Sequence, residues 1–203
     1  MRRLLLAVAV ALALAAAVFL AVVLLRDDAP AQAFRGSTPP PGIVLPDFTL
    51  RDYTGEVVRS RELRGKVVLV TFLDSQCEES CPIIAGQVAR ALPLLSAKER
   101  AEVDALAITT DPEEDTVGSV REFLRRNRAV GGLRYLLGSE RELRPVWNAF
   151  SILPSADTGV DELHSAPVRL YDRDGVWLAT LHAGADLTPE NLAHDLRVAL
   201  ERD

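Results

Sequence analysis

The sequence predicts an α/β fold in which a central sheet is flanked by helices, and three observations support this prediction. Short apolar, β-branched segments alternate along the chain with segments whose apolar residues recur at helical spacing. Helix-length segments follow most of the predicted strands, as in sheets whose strands are joined by helical crossovers. The apolar fraction of 48% is large enough for a domain of this size to form a core without disulfides.

The first half of the domain is predicted to hold a hairpin, two buried strands and two helices. A turn at residues 53–55 between two short alternating segments indicates the hairpin. Asp111 and Pro112 are typical of a helix start, because an acidic N-cap is followed by proline at the first helical position. One face of that helix is expected to carry its apolar residues, Val117, Val120, Phe123 and Leu124. The predicted elements are the hairpin strands 47–50 and 56–59, the strand 66–73, a helix from the cysteines to Pro93, the strand 103–109 and a helix from residue 111.

The second half continues the alternation and ends in a hairpin and a helix. Asp172 to Gly175 is a turn segment, since aspartate and glycine favour tight turns. Thr188, Pro189 and Glu190 are expected to cap the last helix. The predicted elements are a strand at 133–137, a helix at about 140–149, strands at 167–172 and 176–181, and a helix ending near Leu200.

The N-terminal segment predicts a single-pass membrane anchor. Residues 4–25 contain no charge, proline or glycine, and roughly 20 apolar residues in a helix span a bilayer core. Arg2 and Arg3 precede this segment, so the positive-inside rule places the N-terminus in the cytoplasm and the following domain outside it, at the cell membrane. A cleaved signal peptide ending near residues 31–33 is the alternative, although its apolar region would be unusually long.

Composition divides the chain into three parts and restricts its partners. A Pro/Ala-rich segment is predicted to be a tether between the anchor and the domain. The net charge is −6, and residues 1–26 hold three basic and no acidic residues, so the remainder is still more acidic. An acidic surface disfavours nucleic-acid binding. The predicted parts are the anchor 1–26, the tether 27–42 and the domain 43–203.

Cys77 and Cys81, the only cysteines of the chain, follow directly after the strand 66–73. A helix N-terminus favours the thiolate, which is the form that attacks disulfides or binds metals. His164 stands just before a predicted strand, in a loop expected at the same sheet edge. The residues leave three interpretations open: a structural disulfide, thiol–disulfide exchange with Cys77 as nucleophile and Cys81 as resolving residue, or a metal site that includes His164.

A strand that leads into cysteines and then a helix is the thioredoxin-like arrangement. The motifs also resemble one particular family with this arrangement. Cys77-x3-Cys81-Pro82, followed later by His164-Ser165-Ala166, resembles the SCO/SenC family, which takes part in building the dinuclear copper centre of cytochrome oxidase. The other similar segments are Phe34-Arg35-Gly36, Pro46 to Leu50, Arg64 to Val68, and Asp111-Pro112-x-x-Asp115-Thr116.

The resemblance implies that Cys77, Cys81 and His164 are copper ligands. Two thiolates and an imidazole suit a copper ion, since thiolates select Cu(I) and imidazole accepts either oxidation state. The implied function is delivery of copper to a cytochrome oxidase subunit or another copper chaperone, which is transfer rather than enzymatic turnover. The alternative is a thiol–disulfide oxidoreductase that keeps a partner's cysteines reduced. His182 and His194 are weaker ligand candidates, and a zinc site or a peroxidase is less favoured still.

Overall fold

The computed structural model describes residues 33–158 and 166–202, which contain one seven-stranded sheet. The predicted mixed α/β fold with flanking helices is confirmed. Each predicted strand is present, with ends that differ by a few residues at most. The strands are β1 Thr49–Asp52, β2 Val57–Arg59, β3 Val67–Leu73, β4 Val103–Thr109, β5 Arg134–Leu137, β6 Val168–Tyr171 and β7 Trp177–Leu181.

The sheet has the strand order β2-β1-β5-β4-β3-β6-β7. The three central strands β3, β4 and β5 run parallel, while β1 pairs antiparallel with β2 and with β5. The closing hairpin β6–β7 joins the other side through an antiparallel pairing of β6 with β3. Both predicted hairpins are therefore present, and β3 lies between a parallel and an antiparallel neighbour.

Helices cover the sheet and create a core on each of its faces. Alternate residues of β3 contribute to the two cores, with Leu69 in one and Val70 in the other, which explains why this strand is apolar except at Thr71. The first core contains both cysteines, and the second contains Trp147 and Phe150. The helices are α1 Ser80–Ala91, α2 Ala97–Ala101, α3 Val117–Arg126, α4 Glu140–Phe150, α5 Ser155–Thr158 and α6 Pro189–Leu200.

The predicted start of α3 at Asp111 is wrong. The Asp111 side chain accepts hydrogen bonds from the backbone of Glu113 at 3.0 Å and of Glu114 at 3.2 Å, which closes a turn. The helix begins six residues later, where Thr116 caps it in a reciprocal pair with Ser119. Its apolar face is also narrower than predicted, since Val120, Phe123 and Leu124 are buried whereas Val117 is 46% exposed.

The chain is attached to the domain before the predicted domain start at residue 43. The backbone N–H groups of Arg35 and Gly36 donate to the two carboxylate oxygens of Asp195 on α6, at 2.8 and 2.9 Å. Ser37 then exchanges two backbone hydrogen bonds with Thr180 of β7. The last part of the predicted tether, from Phe34 onward, therefore packs along the edge of the sheet.

The predicted anchor at 4–25 and the first part of the tether lie outside the described residues. Within residues 33–158 and 166–202, none of the helices has the length and apolarity needed to cross a membrane.

Candidate functional site

The two cysteines lie in the turn that joins β3 to α1. Asp74 follows the last residue of β3, and its carboxylate accepts a hydrogen bond from the backbone of Gln76 at 2.7 Å, which bends the chain. Cys77 therefore precedes the helix, while Cys81 lies in its first turn. The backbone N–H of Asp74 also donates to the sulfur of Cys81 at 3.4 Å, so the end of the strand contacts the start of the helix.

Cys77 and Cys81 are two thiols rather than a disulfide, and both are nearly inaccessible. Cys77 is 3% exposed and Cys81 is 0% exposed. The sulfur of Cys77 lies 3.8 Å from the hydroxyl oxygen of Ser80. The interpretation as a structural disulfide therefore does not describe this state of the protein.

The two thiols differ strongly in acidity. The hydrogen bond from the Cys81 thiol lowers the pKa of Cys77 to about 4, and backbone N–H groups of Cys81 and Glu79 at the start of α1 act in the same direction. The pKa of Cys81 is raised, because its proton is shared with the Cys77 sulfur and because it is buried. Cys77 is therefore the thiol that ionises more readily, and Cys81 donates the hydrogen bond between them.

Asp115, which sequence reasoning did not identify as a site residue, holds the cysteine turn against the sheet. One carboxylate oxygen accepts from the backbone of Ser75 at 2.9 Å. The other accepts from the hydroxyl groups of Thr109 at 2.5 Å and Tyr135 at 2.7 Å. Burial raises the pKa of Asp115. Asp115 belongs to the Asp111-Pro112-x-x-Asp115 motif, but the first two residues of this motif predict a helix start rather than a buried carboxylate.

Asp74 is the second carboxyl group of the site that sequence reasoning missed. Burial raises its pKa to about 6, and the negative charge of Asp115 acts in the same direction. A hydrogen bond with Ser155, at the start of α5, opposes this shift. The hydroxyl of Ser155 is also 3.0 Å from that of Thr110, so the turn is connected to the segment after α4.

A cleft of about 640 Å³ opens beside the cysteine turn. Residues of α1, of the segment before β6, and of β6 and β7 line it. His182, one of the weaker ligand candidates, lies at this cleft, whereas the ring of His194 contacts the backbone oxygen of Ala33 at 3.1 Å. The described lining includes Ser80, Ile84, Pro167, Arg169, Trp177 and His182.

The third predicted ligand, His164, lies outside the described residues, so its role stays a prediction. The described residues contain no group of three or more His, Cys, Asp or Glu side chains that could hold a metal ion. The structure thus brings Cys77 and Cys81 together, and the assignment of these cysteines and of His164 as ligands stays a prediction.

Comparison with known proteins identifies the family. A family model described as SCO1/SenC matches residues 37–201. The chain belongs to the SCO1/SenC family.

Individual members of the SCO1/SenC family resemble this chain over most of its length. It is 27% identical over 159 residues to the SCO2-like protein RC0895 of Rickettsia conorii, covering 74% of both chains. The structure of Bradyrhizobium japonicum ScoI with copper bound has 26% sequence identity and a TM-score of 0.63, and the match covers 77% of this chain and 99% of ScoI. BsSco, described as a member of the Sco family of cytochrome c oxidase assembly proteins, shares the fold with a TM-score of 0.68 at 20% identity, over 82% of this chain and 99% of its own.

The site of this SCO1/SenC protein can perform two kinds of chemistry. A thiolate next to a second sulfur is a soft donor pair for a thiophilic metal ion, and loss of the Cys81 proton would complete it. The same pair can attack a disulfide through Cys77 and then resolve the mixed disulfide through Cys81.

Proposed function

We propose that this protein binds a copper ion through Cys77, Cys81 and His164 and transfers it by ligand exchange during assembly of the dinuclear copper centre of cytochrome oxidase. The observation that carries the proposal is the pair of adjacent thiols, one of them with a lowered pKa, in a chain of the SCO1/SenC family. Thiolate sulfur is a soft ligand that selects Cu(I) over the harder ions bound by carboxylates. The copper-bound structure of ScoI, a relative at 26% identity, supports the choice of metal.

The recipient in this proposal is a cytochrome oxidase subunit or another copper chaperone. The protein acts from the cell membrane, with residues 4–25 as a single-pass anchor, a cytoplasmic N-terminus and an extracytoplasmic domain. The apolar length of that segment and the position of Arg2 and Arg3 support this location.

The test is copper stoichiometry on the full-length chain, reduced and purified without oxygen. We expect one copper ion per chain, lost in Cys77→Ser and Cys81→Ser and strongly weakened in His164→Ala. His182→Ala is the matched control, because this histidine lies at the neighbouring cleft and is not a proposed ligand. Copper retention that is equal in the parent and in His164→Ala would remove His164 from the ligand set, and no retention by the parent would refute copper binding altogether.

A thiol–disulfide oxidoreductase is the second candidate, and the difference in acidity between the two thiols favours it. The Cys77 thiolate would attack one sulfur of a partner disulfide and release the other as a thiolate, forming a mixed disulfide. Cys81, after losing its proton, would attack the Cys77 sulfur and release the partner's second thiol, leaving a Cys77–Cys81 disulfide. Single-turnover reduction of a disulfide peptide separates the two functions, since His164→Ala should spare exchange and impair copper binding.

A further inference from the structure

The cleft beside the cysteine turn contains a cationic group whose role the thiol chemistry does not explain. Arg169 projects from β6 into this cleft, and it is the only residue with a permanent charge among the described lining residues. Asp and Glu are absent from that described lining. The one permanent charge of the described lining is therefore positive, on a chain with a net charge of −6.

The guanidinium of Arg169 is held in place by neutral groups. Its Nη1 donates to the backbone oxygen of Phe150 at 2.8 Å, and its Cζ lies 4.5 Å from the centroid of the Trp177 ring. The hydroxyl of Tyr171 is a further hydrogen-bonding neighbour. The Nε atom is buried and has no hydrogen-bond partner. Because Nε is buried, a ligand in the cleft would approach the guanidinium through its Nη atoms, with the Trp177 ring beside them.

Among the described residues Arg169 has no counter-charge, as is also true of Arg100, whereas two other partly buried arginines are paired. Arg134 and Arg173, which are about one-third exposed, both form ion pairs, with Asp52 at 3.4 Å and Glu102 at 2.7 Å. Within residues 33–158 and 166–202, no carboxylate lies within ion-pair distance of Arg169. A partly buried cation without an anionic partner is energetically unfavourable, and a planar guanidinium matches a carboxylate with two parallel hydrogen bonds.

We propose that Arg169 and Trp177 form a recognition site for a carboxylate side chain on the protein segment that docks in this cleft. The carboxylate supplies the counter-charge, and the indole of Trp177 forms an apolar wall beside it. Ser80 connects this site to the thiols, since it lines the cleft and its hydroxyl is 3.8 Å from the Cys77 sulfur. That the docked segment belongs to the partner receiving or supplying copper rests on the proposed function, whereas the carboxylate site itself does not.

The test uses the two tryptophan indole N–H signals of the full-length, metal-free, reduced chain in a nitrogen-15 NMR spectrum. Trp177 reports on the cleft, and the buried Trp147 is an internal reference. The probes are two capped pentapeptides that differ only in carrying two glutamates or two glutamines. We expect a saturable shift of the Trp177 signal with the glutamate peptide, about tenfold weaker binding of the glutamine peptide, and an unmoved Trp147 signal.

Variants separate a specific site from general electrostatic attraction. Arg169→Gln should abolish the preference for glutamate, while Arg141→Gln, which removes an exposed arginine of α4, should retain it. Arg169→Lys keeps the charge without the planar fork and should bind with intermediate affinity.

Equal binding of both peptides by the parent chain would overturn the proposal without any variant. Inorganic phosphate that shifts Trp177 with the affinity of the glutamate peptide would overturn the assignment to a carboxylate. Neither outcome depends on copper binding.

Discussion

Asp115→Ala is expected to destabilise the domain severely, because it removes the acceptor of three buried hydrogen bonds. The carboxylate of Asp115 accepts from the backbone of Ser75 and from the hydroxyl groups of Thr109 and Tyr135. Asp115 is 6% exposed and Tyr135 is fully buried, so water cannot readily replace the lost acceptor. The alanine variant would leave three donors unsatisfied in the region that holds the cysteine turn.

Two opposing terms set the loss of unfolding free energy in Asp115→Ala. The unsatisfied donors lower stability, and the removal of the buried carboxylate charge raises it. Each buried donor left without an acceptor costs about 1–3 kcal/mol. Removing Asp115 also removes the penalty of burying its charge, which is the cause of its raised pKa. The net loss should therefore lie near the lower end of the sum, at about 3–5 kcal/mol. Asp115→Asn keeps one carbonyl acceptor and should lose about 1–3 kcal/mol.

The assay is urea unfolding of the reduced full-length chain, followed by far-ultraviolet circular dichroism at constant pH. Tyr135→Phe removes a single donor and should cost about 1 kcal/mol, which gives an ordered series of three variants. Glu113→Ala is the matched control, because it removes an exposed carboxylate of the same turn and should change stability by less than about 0.5 kcal/mol. An Asp115→Ala variant that unfolds within about 0.5 kcal/mol of the parent would refute the reasoning.

Three further outcomes are expected from the thiol pair, the N-terminal attachment and the start of α3. The pKa of Cys77 is lowered to about 4 in the folded state. This thiol therefore contributes stability that is present above its pKa in the unfolded chain and is lost as the pH falls. The stability difference between the metal-free parent and Cys77→Ser should therefore shrink between pH 9 and pH 4 in urea unfolding, and a constant difference would contradict the low pKa. Gly36→Ala should lower the thermal midpoint, because the added Cβ would lie 2.6 Å from a backbone oxygen of β7, whereas the control Gly118→Ala has space and should be neutral or stabilising. Thr116→Ala should cost about 1 kcal/mol in urea unfolding through loss of the N-cap, and an unchanged midpoint would argue against helix initiation at this residue.

Local signals in the sequence were sufficient to predict the seven strands and the four longer helices, but not the short helices α2 and α5. The alternation around residues 53–55 predicted the first hairpin, and the apolar segment 66–73 predicted β3 almost to the residue. Thr188 was correctly predicted as the cap of α6. These features depend on neighbours within a few positions, because periodicity and capping are properties of short segments.

The error at Asp111 shows where local reasoning fails. An acid followed by proline initiates a helix in many proteins, but here the Asp111 side chain closes a turn instead. The reason is the burial of Asp115, four residues later in the chain, which accepts hydrogen bonds from three other segments. A chain that must bury this carboxylate cannot continue as a surface helix through it, so α3 begins only at Val117.

The sequence by itself determined the fold class, the order of the elements and the position of two sulfurs at the end of a buried strand. It also carried the motifs of the SCO1/SenC family. Only the tertiary structure decided that Cys77 has the lower pKa and Cys81 is its donor, that Asp115 supports their turn, and that Arg169 faces a cleft whose described lining contains no carboxylate. The physical reason is that acidity, burial and hydrogen bonding depend on atoms brought together from distant positions, such as Ser75 and Asp115, which lie 40 residues apart in the chain.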